Sequence, residues 1–515
     1  MNYSTLPASP LERAARLLRW PITALAALAA LYTVFLIYAA GQTAWALGAL
    51  ALFGSAFYVY VVSRQFAYRY LYPGVAGMLV FIAFPLIFTA RIGFTNYSSP
   101  HLLSEERARA TLLERADPDL SQVQRFSLHA DGAAFRLALH EGDDDAAPVR
   151  WVSPPLALKS PVQVQMQPAA EVPLQPALDL RGVVAHREAL MQLKLKLPDS
   201  AETLSYLGLH EFAPMRAQWA AEADGSLVRH EDGKRFSPDR NEGFFTSAEG
   251  ERLQPGFKVA VGWRNYARMV LDAEFRGPFL SIFAWTVIFA LATVVCCTAL
   301  GMLLAVLLNW EDLKGRTAYR TLVFLPYAVP GFISILVFKG LFNQNFGEIN
   351  AILNAVFGVK PAWFADPLLA KLMLLIVNVW LGYPYVMILC SGLLKSIPSD
   401  LYEASALAGA GPWTNFSRIT APLIIKPLAP LLVSAFAYNF NNFVLIALLT
   451  DGRPDFLSTK LPAGQTDILV SYTYRIAFRD SGTDYGLAAA ISTLIFLLVA
   501  AMSLFNLRLM RKAQQ

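Results

Sequence analysis

Asn378, Gly382 and Tyr385 follow one another at i, i+4 and i+7, and Asn439 and Asn442 at i and i+3, all inside long apolar runs. On a helix these spacings put each set on one face. Polar side chains in a bilayer face a partner helix or a wet cavity rather than lipid. Carboxamides both donate and accept hydrogen bonds, as sugar hydroxyls require, and a tyrosine ring can cover the apolar C–H face of a pyranose. The same residues would also serve as interhelical hydrogen bonds, worth roughly 0.6–2 kcal/mol each. Spacing alone leaves both uses open.

A second stretch, Leu401-Tyr402-Glu403-Ala404-Ser405-Ala406-Leu407-Ala408-Gly409-Ala410-Gly411, continues through Pro412 and Ile419 to Pro422. Ser399 or Asp400 can cap a short helix here, and Gly409 and Gly411 can end it. Its small residues give it little to bury by itself. It suits insertion into a cleft of another protein, with Glu403 offered to a basic partner; a plain connector is the other reading.

Other chemistry is missing. No G-x-x-x-x-G-K-[ST] run exists, since Gly233-Lys234 lacks both the upstream glycine and the following Ser/Thr, so the chain cannot cradle nucleotide phosphates itself. All six histidines lie between Arg91 and Arg276, which excludes a histidine proton relay or His-liganded metal in the apolar segments. Asp366, Glu348 and Glu311 sit only at the edges of apolar runs. Asp143–Asp145 reads as a solvated loop. Cys296, Cys297 and Cys390 all lie in apolar runs and offer no disulfide framework.

The elements that position these residues follow from composition. The 515 residues are 55% hydrophobic and only 16% charged, against about 25% charged in soluble domains, and mean hydropathy is +0.42. A spanning helix needs about 20 apolar residues. Eight such runs are read at Trp20–Ala39, Ala44–Val62, Tyr72–Ala90, Phe279–Leu308, Leu322–Leu341, Leu369–Leu394, Leu428–Leu449 and Leu487–Leu507. The segment between Arg91 and Arg276 carries 26 of the 38 acidic residues and 22 of the 43 basic ones. The rest of the chain is basic, at membrane flanks where orientation accounts for it, so no nucleic-acid partner is implied.

Arg13, Arg16, Arg19, Arg64, Arg69, Lys314, Arg316, Arg320, Arg508, Arg511 and Lys512 fall on one side of eight spans, which makes both termini cytoplasmic. The loop with Arg453, Lys460, Arg475 and Arg479 falls on the other side, against the rule. The expected fold is an all-α polytopic membrane protein of about eight transmembrane helices with an inserted β-rich external soluble domain. Its divisions are residues 1–90 (helices one to three), 91–276 (the insert) and 277–515 (helices four to eight with the loop at 395–426). Within the insert, strands are expected at Val162–Met166, Phe135–His140 and Leu193–Leu197. A hairpin is expected at Asp232-Gly233, between Val228–His230 and Arg235–Phe236, and helices at Ser104–Arg115 and Glu202–Leu209.

Glu-Ala-x, a Gly six residues after the Glu, Ile ten residues later and Pro three beyond it resemble the EAA loop of permease subunits of binding-protein-dependent ABC importers. Ser405 departs from the usual Ala and Ala421 from the usual Leu. Asn378-Val-Trp-Leu-Gly-Tyr-Pro-Tyr, Asn439-Phe-Asn-Asn-Phe and Asp484-Tyr-Gly-Leu-Ala-Ala-Ala extend the resemblance to the maltose/maltodextrin branch, from about Tyr70 to Gln515. It implies a non-catalytic subunit of the bacterial inner membrane, surrounded by lipid, with the insert periplasmic and in contact with a soluble sugar-binding protein. It implies a second permease subunit of the MalG type and a homodimeric ATPase of the MalK type that binds the ATP and Mg, so that no cofactor belongs to this chain. Glu403, Ala404, Ser405 and Gly409 would contact the ATPase. Asn378, Leu381, Gly382, Tyr385, Asn439 and Asn442 would bind an oligosaccharide, with Ala435 where the resemblance implies a serine. No metal site is implied. Alternative functions are an ABC permease for another sugar or glycoside, and a membrane sensor with an external ligand domain.

Overall fold

The computed structural model describes residues 10–514 apart from 133, 142–146, 158–162, 170–171, 200–201, 209, 311, 458, 460–461 and 480–482. Asp143–Asp145, Val162 and Glu311 therefore lie outside the described residues. Among those described, seven helices are long and apolar enough to span: α1 (Trp20–Ala39), α2 (Thr43–Val62), α3 (Phe66–Gly93), α4 (Ala273–Asn309), α5 (Pro367–Leu394), α6 (Pro412–Phe440) and α7 (Tyr485–Arg508).

The expected fifth run, Leu322–Leu341, is not one helix. It comprises Arg316–Val323, a 3-10 turn Leu325–Ala328 and Gly331–Leu341. Pro326 and Pro330 account for the break, because proline removes a backbone donor and disfavours helical geometry in the residue before it. Val329, just ahead of Pro330, is extended at φ −105°, ψ 132°. The expected Leu428–Leu449 run is also interrupted: α6 ends at Phe440 and a separate helix spans Phe443–Leu449.

The chain forms two compact units. One gathers α1, α2 and α3, the segment Gly392–Asn439 and α7 from Ala489 onward. Here α1 turns into α2 at Gly41, whose φ of 77° is the left-handed geometry glycine tolerates. The Tyr72 hydroxyl donates to Leu52 O at 2.7 Å, and Trp45 meets Phe84 edge-on at 4.9 Å, tying α2 to α3.

The other unit holds Phe94–Ser391 and Phe440–Ala488. Its insert contains a nine-stranded sheet and a five-stranded antiparallel sheet. In the larger sheet Gln124–Asp131 pairs with Ala134–His140 in the register Phe126↔Leu139. The strand Thr203–Gly208 pairs with Lys194–Lys196 and with Glu211–Ala217. Phe126, Leu128, Leu137, Leu139, Leu204 and Phe212 form the centre of its core.

Within Glu202–Leu209, expected to be helical, Thr203–Gly208 is therefore a strand, and Leu209 lies outside the described residues. Thr203 and Tyr206 favour a pleated surface, and Leu204 is buried opposite Leu195 and Pro214. Phe135–His140 and Leu193–Leu197 contain the strands expected of them, and Gln163–Gln165 is a strand. The hairpin at Gly233, φ 70°, joins Leu227–Arg229 to Arg235–Asp239 with Leu227 opposite Phe236. Helix Glu105–Leu113, capped by Ser104, buries Ala108 and Leu112 among Trp219, Phe236 and Phe245.

The base of the insert meets the first turn of α7. Gly486 N donates to Tyr97 O at 2.8 Å, and a β-carbon at Gly486 would collide with Thr95 O. Arg268 reaches Asp484 at 3.2 Å. Nearby His101 is buried, and desolvation holds its imidazole below the ordinary histidine value.

Within the same unit α4 and α5 pack through glycine. A β-carbon at Gly301 would lie 2.8 Å from Met387 N and 2.9 Å from Val386 Cβ. Small residues let spanning helices approach this closely. Gly301→Val is expected to separate α4 from α5, destabilising the pair by about 1–3 kcal/mol as overpacking does. The check is the yield of monodisperse protein after gentle extraction. A yield equal to that of the unaltered chain would contradict this packing.

Candidate functional site

Asn378 sits in the middle of α5 and is 5% exposed. Its Nδ2 donates to Thr293 Oγ1 of α4 at 3.0 Å, and its Oδ1 accepts from Asn442 Nδ2 at 3.1 Å. Asn442 is the N-cap of Phe443–Leu449, and its Oδ1 accepts from Leu445 N at 3.4 Å. Three separate elements thus converge on one chain of hydrogen bonds, buried at Thr293 and half-buried at Asn442. This placement corrects the expectation that Asn439 and Asn442 share a helical face. The helix ends between them, because Asn442 serves as the cap of the following helix, as asparagine readily does. Asn439 remains in the last turn of α6 and donates to Ala435 O of its own helix at 2.8 Å.

The other expected substrate residues on α5 differ in their surroundings. Leu381 packs against the apolar cluster that contains Trp285, Phe289, Val377 and Leu445. At Gly382 a β-carbon would stand 2.8 Å from Cys297 Sγ, so this glycine admits the neighbouring helix. Tyr385 is 47% exposed and one helical turn beyond Leu381. The Asn378–Asn442 pair and Tyr385 supply amides and an aromatic face, the chemistry of carbohydrate recognition. Thr293 was not visible from sequence: one hydroxyl inside the apolar run of α4 carries no spacing signal. Among the described residues no cluster of three or more His, Cys, Asp or Glu is placed to hold a metal.

The Glu403 stretch folds as helix Asp400–Leu407. Ser399 is itself helical at φ −59°, ψ −32° and makes no side-chain cap, which corrects the expected capping role. Gly409, φ 76°, turns the chain, whereas Gly411 begins the next helix, Pro412–Asn415, rather than ending the first. Glu403 and Ala404 face outward, Leu407 is 92% exposed and Trp413 is 76% exposed. Ser405 turns inward and donates to Asn415 Oδ1, while the Tyr402 hydroxyl bonds Thr420 Oγ1 at 2.9 Å. The loop is thus braced from inside and offers a small surface with two acids, Asp400 and Glu403, and the apolar groups Leu401, Leu407 and Trp413. Large exposed apolar groups beside a polar rim suit docking to another protein.

The chain resembles known proteins over nearly its whole length. Residues 103–262 match the family described as maltose transport system permease protein MalF P2 domain. Residues 297–513 match the binding-protein-dependent transport system inner membrane component family. The maltose/maltodextrin transport system permease protein MalF of Escherichia coli strain K12 is 48% identical over 501 residues, covering 96% of both chains. The protein of the same description from Photorhabdus laumondii is 49% identical over 504 residues, again covering 96% of each. Among solved structures, a bacterial ABC transporter involved in alginate import aligns at 22% identity with a TM-score of 0.42, covering 49% of this chain and 85% of that one.

Proposed function

Because the chain belongs to the MalF family of permease subunits of binding-protein-dependent importers, we propose that it forms part of the path by which maltose and maltodextrins cross the inner membrane. It is a non-catalytic subunit of an ABC importer, and ATP is hydrolysed by a separate subunit. It works beside another permease, an ATPase and a periplasmic binding protein.

The finer assignments are part of the same proposal. The second permease is of the MalG type, and the ATPase is a MalK-type homodimer that holds the ATP and Mg. Both termini are cytoplasmic, and the insert is periplasmic, where it meets the binding protein. Glu403, Ala404 and Gly409 present the coupling loop to the ATPase, with Ser405 bracing it. Asn378, Leu381, Gly382, Tyr385, Asn439 and Asn442 receive the sugar. The loaded binding protein and ATP favour the outward-facing state, and hydrolysis resets it.

The observation that carries the substrate site is the Asn378–Asn442 hydrogen bond across two elements at a helix break. Its amides can exchange partners for sugar hydroxyls. The test is maltose uptake in vesicles that contain the whole transporter. Tyr385→Ala and Asn439→Ala should each lower uptake about tenfold while subunits still co-purify, since losing a hydrogen bond or a stacked ring is worth about 1–2 kcal/mol. Normal uptake by both variants would remove these residues from the site. Competition by other oligosaccharides in the same assay separates maltose from another sugar or glycoside.

A further inference from the structure

The hydrogen-bond chain through Asn378 has a fixed polarity. A backbone N–H can only donate, so Leu445 N requires Asn442 to present its Oδ1. The atom that Asn442 turns toward Asn378 is then its Nδ2, a donor only, which requires Oδ1 of Asn378 opposite it. That leaves Asn378 Nδ2 facing Thr293, where the hydroxyl oxygen accepts it at 3.0 Å. The amide orientation of Asn378, ordinarily ambiguous between oxygen and nitrogen, is thus dictated from the Asn442 end and anchored at the Thr293 end. One end is a helix N-terminus and the other is the Thr293 hydroxyl on α4, itself 2% exposed.

We infer that Thr293 is a positioning residue for the sugar site. By accepting from Asn378 Nδ2 it anchors that amide to α4 in the orientation Asn442 selects, and so fixes where a sugar hydroxyl meets its hydrogen-bonding groups. The inference rests on the reading of Asn378 as a substrate residue. Without the hydroxyl, Asn378 Nδ2 loses its acceptor on α4. Turning the amide over would put Nδ2 against Asn442 Nδ2, two donors face to face. Either arrangement breaks the chain of hydrogen bonds, and the sugar then meets a misoriented pair.

The experiment uses the complete transporter in proteoliposomes, titrated with maltose-loaded binding protein, and measures both maltose taken up and ATP hydrolysed. Thr293→Val keeps the shape and removes the hydroxyl. It should lower maltose delivered per ATP about tenfold, the scale of a lost buried hydrogen bond. The half-saturating concentration of loaded binding protein should stay unchanged. Thr293→Ser restores the acceptor and should bring delivery back to within about twofold of the unaltered chain. Thr293→Ala removes the hydroxyl without branched bulk and decides the matter if the valine variant fails to assemble.

Unchanged delivery in the valine or alanine variant, with Asn378→Ala impaired, overturns the positioning role alone. Equal impairment of the serine and alanine variants also overturns it, since it assigns Thr293 to packing. Normal delivery by Asn378→Ala overturns the underlying site.

Discussion

Gly409→Val is expected to cut maltose uptake about tenfold or more while ATP hydrolysis continues, so that sugar delivered per ATP falls. Gly409 has a φ of 76°, and a β-branched residue in that left-handed conformation is strained by roughly 1–3 kcal/mol. The chain would relax by opening the turn that sets helix Asp400–Leu407 against Pro412–Asn415. Leu407 and Trp413, the two largest exposed groups of the loop, flank that turn and would move with it. An interface of this size depends on a few such anchors. Glu403→Lys tests the same surface without touching the backbone, because it reverses an exposed acidic group in the middle of that helix. If both variants deliver wild-type sugar per ATP, the loop has no part in coupling.

Asp467→Ala should be the most destabilising single change outside the spanning helices. The Asp467 carboxylate is fully buried and accepts from Arg475 Nη1 at 2.9 Å, Gly464 N at 2.8 Å and Ser471 Oγ at 2.8 Å. Arg475 is held on its other side by Asp455 at 2.6 Å. The loop closes tightly around the carboxylate: a β-carbon at Gly452 would collide with Asp467 Oδ1. Removing Asp467 takes from Arg475 one of its two carboxylates and from Gly464 N and Ser471 Oγ a buried acceptor, a combined loss of about 3–5 kcal/mol. Leu469 N, just beyond, donates to Thr286 Oγ1 of α4 at 3.0 Å, so the loss would spread to that helix. Thermal unfolding of the purified transporter, with protease sensitivity of residues 450–484 as a local readout, measures it. Asp467→Asn keeps the shape and should fall between the two. Identical melting of the alanine and unaltered proteins would contradict the ion pair's structural role.

The spanning helices were legible because a run of about 20 apolar residues is long enough to cross a bilayer and too apolar to coat a soluble surface. Their interruptions were legible only in part. Pro326 and Pro330 stood in plain view inside an apolar run, whereas the break before Phe443 depends on Asn442 finding both Leu445 N and Asn378. No local pattern shows a tertiary partner. The same limit applies to residues 203–208, where pairing with two neighbouring strands overrode a short helical pattern. In the loop around Glu403 the spacing identified the segment but not the inward turn of Ser405, whose hydroxyl finds its partner in Asn415, ten residues on. Thr293 shows the limit most sharply, since its importance comes entirely from the amide 85 residues away.

The interruptions at Phe324–Pro330 and Phe440–Asn442 also constrain the lipid. Hydrocarbon chains offer no hydrogen bonds, so backbone outside a helix is tolerated at membrane depth only where protein or water covers it. The structure already supplies some cover: the Tyr383 hydroxyl donates to Val323 O at 2.8 Å, and Asn442 Oδ1 takes Leu445 N. Main-chain bonds supply more, Tyr327 N to Phe324 O at 3.0 Å and Phe443 N to Asn441 O at 2.8 Å, so that the chain itself covers part of each break. Where the peptide groups leave their helices at membrane depth, protein or water rather than acyl chains must lie against the backbone.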